Sequence, residues 1–385
     1  MSSLKENNGP DVFIVADNIL SPLGETTGRN FSKLKQQVSA VKQYHNPNIS
    51  AQPFYASLFG NDESFLKIDP KRYTKFEQLL IASIANAMRD GEIGVPDKKT
   101  VLIISSTKGN ISCLENEIMS NALKERIALP ASAKLIADYF GFISPPIIIS
   151  NACISGVLAI ITGMRLLRTG QFETAVIAGA DVISKFIFSG FESFQALSPQ
   201  VCKPFDRSRD GLNLGEGAAT IILSTNKKYG QNIKVKGGAI SNDANHISGP
   251  SRTGEELAGA IKKAMLDAAV ISRDIDFISA HGTATVYNDE MEANAFNLAG
   301  LQAAPVNSLK AYYGHTLGAA GLIESIVSIQ SLKENLVLPT LGFQEMGVTL
   351  SINICKELSH GDFKNCLKTA SGFGGCNGAV VFGKG

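Results

Sequence analysis

The feature that most constrains how this chain can fold is a succession of helix and strand signals that it delivers twice. Ala85-Asn86-Ala87-Met88-Arg89-Asp90 closes a helical pattern and leads, after a short loop, into the buried-strand run Val101–Ile104. Lys262-Lys263-Ala264-Met265-Leu266-Asp267 closes another and leads into Ile275–Ser279. Further on, Ile147-Ile148-Ile149 with the helical pattern after it is echoed by Pro305-Val306-Asn307 and the Gly/Ala-rich stretch Gly318-Ala319-Ala320-Gly321-Leu322-Ile323. Each round ends on a similar strand, Gly217–Leu223 in the first and Gly378–Phe382 in the second. Two α/β half-bodies with largely parallel sheets follow from that order, although two unrelated α/β units would give a loose echo of the same kind. The polar, glycine-containing stretch Thr225–Gln231 suits a boundary, dividing the chain into residues 1–228 and 229–385.

Within this frame, Val12–Ala16 reads as a first strand and Lys75–Met88 as a helix with one buried face, while Asn30–Lys42 and Ala131–Phe140 carry helical patterns. A length of 385 residues, 44% hydrophobic and 18% charged, supports a compact body with a substantial core. The formal charge of +1 gives no global attraction to nucleic acid. No apolar run reaches the roughly eighteen residues of a membrane span, and Met1–Pro10 lacks the apolar core of a signal peptide, so a cytoplasmic protein is expected. Six cysteines (113, 153, 202, 355, 366 and 376) show neither a CxxC pair nor zinc spacing, so neither a disulfide framework nor a metal is indicated.

Cys153 lies in Ser150-Asn151-Ala152-Cys153-Ile154-Ser155-Gly156, where a buried strand turns into a helix. There the positive end of the macrodipole and unpartnered N–H groups favour a thiolate. Free cysteines are also among the most buried residues, so position alone leaves catalytic and structural roles open. His281, in His281-Gly282-Thr283-Ala284-Thr285, follows a strand, and His315 stands just before the Gly/Ala-rich helix. Each can be structural or catalytic. The run Gly372-Phe373-Gly374-Gly375-Cys376-Asn377-Gly378 allows either a tight turn or close backbone approach to a ligand. It is not a dinucleotide fingerprint, and no Walker motif is present. The charged loop Lys203–Gly211 reads as an ion-pair scaffold or a ligand contact.

Taken together, Asn151-Ala152-Cys153, His281–Thr285, Lys310 with Gly314-His315, Lys203-Pro204-Phe205-Asp206 and Gly372–Gly375 resemble a β-ketoacyl-[acyl-carrier-protein] synthase of the elongating Cys-His-His class, in the thiolase superfamily. The match runs from Leu20 to the end, with the motifs in family order. The resemblance implies a duplicated five-layer α-β-α-β-α sandwich. It implies that Cys153 takes an acyl group as a thioester, and that His281 and His315 stabilise the enolate left when malonyl-carrier protein decarboxylates. The N–H groups of Cys153 and Phe373 would form an oxyanion hole, with Phe373 also the gate. Lys310 would order the site, paired with Glu292, while Thr283, Thr285, Gly372 and Gly374 would contact substrate. No cofactor is implied. The implied partners are acyl carrier protein, malonyl and acyl thioesters, and an identical or related subunit. A non-catalytic chain-length-factor-like subunit is the alternative.

Two departures from the family pattern stand out. Thr369-Ala370-Ser371 replaces the usual Asn-Ser-Phe before Gly372, so serine stands where a gate-loop aromatic is usual. The region between Thr107 and Ile147 is shortened. Both bear on acyl-chain selection, for example towards an aryl or polyene chain, and leave the chemistry alone.

Overall fold

The computed structural model describes residues 9–60, 63–94, 97–115, 117–229, 233–245 and 247–385; most of the polar N-terminus, the end of the expected linker and His246 lie outside them. Ten strands and five helices build the layers. The first round supplies β1 (Phe13–Leu20), α1 (Lys75–Asp90), β2 (Thr100–Ser105), β3 (Ile147–Ile149), α2 (Ser155–Arg168), β4 (Thr174–Asp181) and β5 (Gly217–Ser224). The second supplies β6 (Lys234–Asn242), α3 (Glu255–Asp267), β7 (Phe277–Ser279), α4 (Val286–Leu298), β8 (Pro305–Asn307), α5 (Ala320–Glu334), β9 (Asn365–Gly372) and β10 (Cys376–Gly383).

The echo in the sequence becomes an equivalence in topology. The first five strands lie in the order β3-β2-β4-β5-β1 and the second five in the order β8-β7-β9-β10-β6, with the short strand Asn353–Ile354 added outside β8. In each set the two innermost junctions are antiparallel and the two outer ones parallel. Phe13 pairs with Lys234 and joins the sets edge to edge.

Side-chain alternation on the strands decides the layering. On β5, Ala219, Ile221 and Leu223 enter a central core with α2 and α5, whereas Ala218 and Ile222 face an outer core with α1. On β10, Val380 and Phe382 point to the same centre, and Ala379 and Val381 to the other outer core, formed by α3 and α4. The result is helix, sheet, central helix pair, sheet, helix: the expected five layers. α1 begins where Thr74 and Glu77 cap each other reciprocally, which satisfies two of the N–H groups that a helix start leaves free.

One helix is shorter than its pattern. The expected helix over Asn30–Lys42 runs only from Thr27 to Lys35. Gln37 turns into the left-handed region at φ +57°, and Ser39 and Ala40 then donate to the carbonyls of Ala311 and Tyr312 at 2.6 and 2.8 Å. Tertiary bonding to the segment that carries Lys310 overrides the local helical signal. The pattern over Ala131–Phe140 is realised as a helix from Leu129 to Phe140.

Candidate active site

The site forms where the N-terminal ends of α2 and α5 meet. Ahead of α2 the chain leaves β3 and bends through Ala152 at φ +43°, a conformation alanine rarely adopts. The Ser155 hydroxyl locks the bend, accepting from the Asn151 N–H at 2.8 Å and donating to the Ala152 carbonyl at 2.6 Å. Cys153 is thereby presented just before the first turn of α2, with 7% of its surface exposed.

His281 follows β7, and His315 lies between Lys310–Tyr313 and α5. Donor atoms of Cys153, His281 and His315 all lie within 4.8 Å of one another, and the two imidazole rings meet edge to face with centroids 5.1 Å apart. Burial holds both imidazoles well below their usual pKa, reinforced by Lys310 and Lys368. They are therefore neutral near pH 7, each with one N–H to donate.

The expected resting thiolate needs correction. Burial pushes the Cys153 thiol up to about 12, Cys376 and Asp181 add to the shift, and Lys310 and the Phe373 N–H oppose it. Desolvation of the buried thiol opposes the helix N-terminus here.

A cavity of about 500 Å³ opens onto these three residues. Thr283 and Thr285 line it with their hydroxyls 2.8 Å apart, and Gly372, Ser371 and Phe373 line the opposite wall. A Cβ on Gly372 would stand 2.9 Å from the Cys153 nitrogen, so only glycine allows this approach. Phe373 stacks on Phe191 at 5.6 Å and meets Phe194 edge-on at 5.2 Å, so three aromatic rings that line the cavity pack on one another. Gly374 is not brought to the cavity wall; its N–H donates to the Ile247 carbonyl at 2.7 Å.

The expected Lys310–Glu292 pair is also corrected. The Lys310 ammonium bonds Glu324 of α5 and the His281 carbonyl, the latter at 2.9 Å. Glu292 instead accepts the N–H groups of His281 and Gly282 at 2.8 and 2.6 Å and the Thr369 hydroxyl at 3.0 Å. Lys310 opens the short helix Lys310–Tyr313 and Glu324 lies on the helix that follows it, α5, whereas Glu292 stands on α4, against the backbone of the His281 turn.

Asp181 and Asp289 stand outside the sequence motifs that mark the site. Asp181, at the end of β4, takes the Gly318 N–H at 2.6 Å and the Ser106 hydroxyl at 2.8 Å, tying the start of α5 to the β2 loop. Burial raises its carboxyl to about 6 against the pull of those bonds. Asp289 accepts from Phe205 and Thr283 N–H groups at 2.7 and 3.1 Å. In the Lys203–Gly211 loop, Asp206 accepts the N–H groups of Ser208, Gln344 and Glu345, while Asp210 and Gly211 reach the cavity wall. The loop is scaffold at one end and wall at the other.

The family model described as β-ketoacyl synthase, N-terminal domain, matches residues 10–228, and that described as β-ketoacyl synthase, C-terminal domain, matches 233–344. A 3-oxoacyl-[acyl-carrier-protein] synthase 2 of Vibrio cholerae is 30% identical, over 96% of this chain and 98% of its own length. Among solved structures, a β-ketoacyl synthase from Burkholderia phymatum superposes with a TM-score of 0.87 at 23% identity, covering 98% of this chain and all of that one. A type II polyketide ketosynthase in complex with its acyl-carrier protein gives 0.86 at 21% identity, with 98% and 100% covered. Two adjoining family matches across most of the sequence, and a relative aligned nearly end to end, agree with the convergence of one thiol and two neutral imidazoles: the chain belongs to the β-ketoacyl synthase family.

Proposed function

We propose that the protein is a 3-oxoacyl-[acyl-carrier-protein] synthase, joining an acyl group held on Cys153 to a malonyl unit on acyl carrier protein with loss of carbon dioxide. The convergence of Cys153, His281 and His315 at the base of one cavity carries this reading. Residues 1–228 contribute the nucleophile and residues 229–385 both histidines.

In the first half-reaction the Cys153 sulfur attacks the thioester carbonyl of an acyl-carrier protein, and the N–H groups of Cys153 and Phe373 receive the oxyanion. The thiol proton leaves with the carrier's sulfur, so a thiol protonated at rest suffices as long as attack and proton loss are coupled. In the second, the malonyl thioester oxygen accepts from the N–H groups of His281 and His315. The C–C bond to the carboxylate breaks, carbon dioxide departs, and the resulting enolate carbon attacks the acyl-cysteine carbonyl. Collapse expels the Cys153 sulfur, which takes one proton from solvent, and releases the 3-oxoacyl-carrier protein. Neutral imidazoles suit this step, because they donate to a developing enolate without first needing a proton. Thr283 and Thr285 offer hydroxyls to the amide-bearing arm of the carrier.

The rings of Phe191, Phe194, Phe373 and Tyr287 around the cavity, with Ser371 where a gate aromatic is usual, favour a planar aryl or polyene acyl chain. Among the described residues the edge strand β3 pairs on one side only, and it carries three half-buried isoleucines, a surface that supports an identical or related second subunit. The non-catalytic alternative is not favoured, since Cys153 and both histidines are in place. No described helix is long and apolar enough to cross a membrane, and all six cysteines are free thiols, which fits the reducing cytoplasm proposed as its location.

Incubation with malonyl- and acyl-carrier proteins should release carbon dioxide and form a ketoacyl product, and Cys153→Ala should abolish the product. Mass spectrometry of Cys153 after exposure to a panel of acyl-carrier proteins identifies the chain. Intact wild-type protein that forms no product with any of them would refute the reading.

A further inference from the structure

Lys368 lies in the middle of β9, opposite Ser279 of β7, in a run that is otherwise apolar or small. It is fully buried, as is Lys310, and Glu324 is 3% exposed. The Lys368 ammonium donates to the Ser279 carbonyl at 3.1 Å and the Ala280 carbonyl at 2.9 Å, and it is ion-paired with the Glu324 carboxylate at 2.7 Å. Lys310 bonds the next carbonyl, that of His281, and the other oxygen of Glu324. Three consecutive carbonyls are thus held by two ammonium groups joined through one carboxylate.

We infer that Lys368 is a positioning residue for condensation: with Lys310 it clamps the carbonyls of Ser279, Ala280 and His281 onto Glu324 and so fixes where the His281 imidazole stands. The inference rests on the condensation reading above. Lys368 is not among the described residues that line the cavity at Cys153, and it acts through the backbone of its neighbour strand. An imidazole displaced by about 1 Å no longer meets a forming enolate oxygen well, an error that costs on the order of 100-fold in rate.

The clamp also carries charge. Two ammonium groups and one carboxylate leave one net positive charge beside the histidines, which disfavours imidazolium. The other groups facing them are the Cys153 thiol and the Glu292 carboxylate on the His281 N–H, with Asp289 behind Thr283 and Tyr313 beside Glu324. Burial comes first in holding His281 down, then Lys310, His315 and Lys368; for His315 it is burial, Lys310 and Lys368.

The test uses full-length wild type, Lys368→Gln and Lys368→Arg with malonyl-carrier protein, reading kcat and KM for carbon dioxide release between pH 5 and 9, with circular dichroism to count folded molecules. Gln keeps two donors and removes the charge: kcat per folded molecule should fall at least about 10-fold with KM changed less than about 2-fold, and the acid limb should move to higher pH. Arg keeps the charge in the wrong shape: kcat should fall while the acid limb stays. If Gln does not fold, Arg with wild-type kcat overturns the inference by itself. Folded variants with wild-type kcat and acid limb, whatever their melting temperatures, likewise overturn it. Wild-type protein that releases no carbon dioxide would instead overturn the condensation reading on which it rests.

Discussion

Gly156 and Leu322 touch where the two central helices cross: a Cβ on Gly156 would lie 2.7 Å from the backbone nitrogen of Leu322. The contact is reciprocal, since a Cβ on Gly321 would lie 2.6 Å from the backbone nitrogen of Val157. Both obstacles are backbone, which cannot swing aside. The crossing brings the start of α2, which Cys153 precedes, against the start of α5, which follows the His315 segment. Gly156→Ala should therefore separate the thiol from the imidazole and destabilise the fold by about 1–3 kcal/mol through overpacking. Gly259→Ala, on α3 with nothing within 4 Å, is the control and should leave both melting temperature and turnover near wild type.

The resting state of Cys153 can be read by alkylation. With the thiol pushed up to about 12 by burial, it is protonated at neutral pH. Its carbamidomethylation rate, followed by mass spectrometry of the Cys153 peptide, should be slow at pH 7 and climb steadily through pH 9. A plateau reached by pH 8 would mean that the helix N-terminus outweighs burial.

His281 and His315 make the fold acid-sensitive. Their folded pKa values lie well below the ordinary 6.5, so the unfolded chain binds more protons between those values and 6.5. The stability they contribute is present above pH 6.5 and is lost as pH falls through the folded values. Asp181 and Asp289 act in the opposite sense, since burial raises them to about 6 and about 7 and their contribution fades as pH rises from 3.8 through those values. Subtraction isolates the histidines: urea unfolding of a His281→Asn, His315→Asn double variant should show a smaller loss of stability than wild type between pH 6.5 and 5.

Phe373 lines the cavity in contact with Phe191 and Phe194, and its own backbone faces the thiol. Phe373→Ala removes the ring and keeps the N–H. Access to Cys153 should increase, so alkylation at a fixed pH should accelerate several-fold, while acyl transfer falls because the ring no longer shields the bond being formed. Unchanged alkylation would show that the three rings do not limit entry.

The duplication was legible because it rests on local signals, namely buried strands, glycine-bearing helix starts and their succession, whereas the antiparallel inner junctions of each set depart from the largely parallel sheets that this succession predicts. Cys153, His281 and His315 each stand at the end of an element, where such a fold gathers ligands, but it is the family resemblance that makes their roles legible. The Asn30–Lys42 helix was overestimated because bonds from Ser39 and Ala40 to a segment some 270 residues away decide it. The partner of Lys310 escapes the sequence for a related reason. Which buried carboxylate meets Lys310 depends on how α5 docks, and no local pattern reports that. A signal was nonetheless present, since Glu324 interrupts Leu322-Ile323-Ser325-Ile326 and Lys368 interrupts Cys366-Leu367-Thr369-Ala370, and a charge inside an apolar run needs a buried partner.

Glu324 and Glu292 should accordingly fail in different ways when changed to glutamine. Among the described residues Glu324 is the one carboxylate ion-paired to both Lys310 and Lys368, and neutralising it leaves two ammonium groups without their counter-charge in the core. Breaking a buried pair in this way costs about 3–5 kcal/mol, more than an exposed pair would. Glu292 accepts from N–H and hydroxyl groups, and the Glu292→Gln change keeps one oxygen acceptor while turning an amide N–H towards donors already present. Loss of the carboxylate should displace the His281 turn, lowering carbon dioxide release more than melting temperature. Chemical denaturation of the two variants, with turnover measured per folded molecule, separates them: a Glu324→Gln protein as stable as wild type would mean that one lysine of the clamp is neutral in the folded protein.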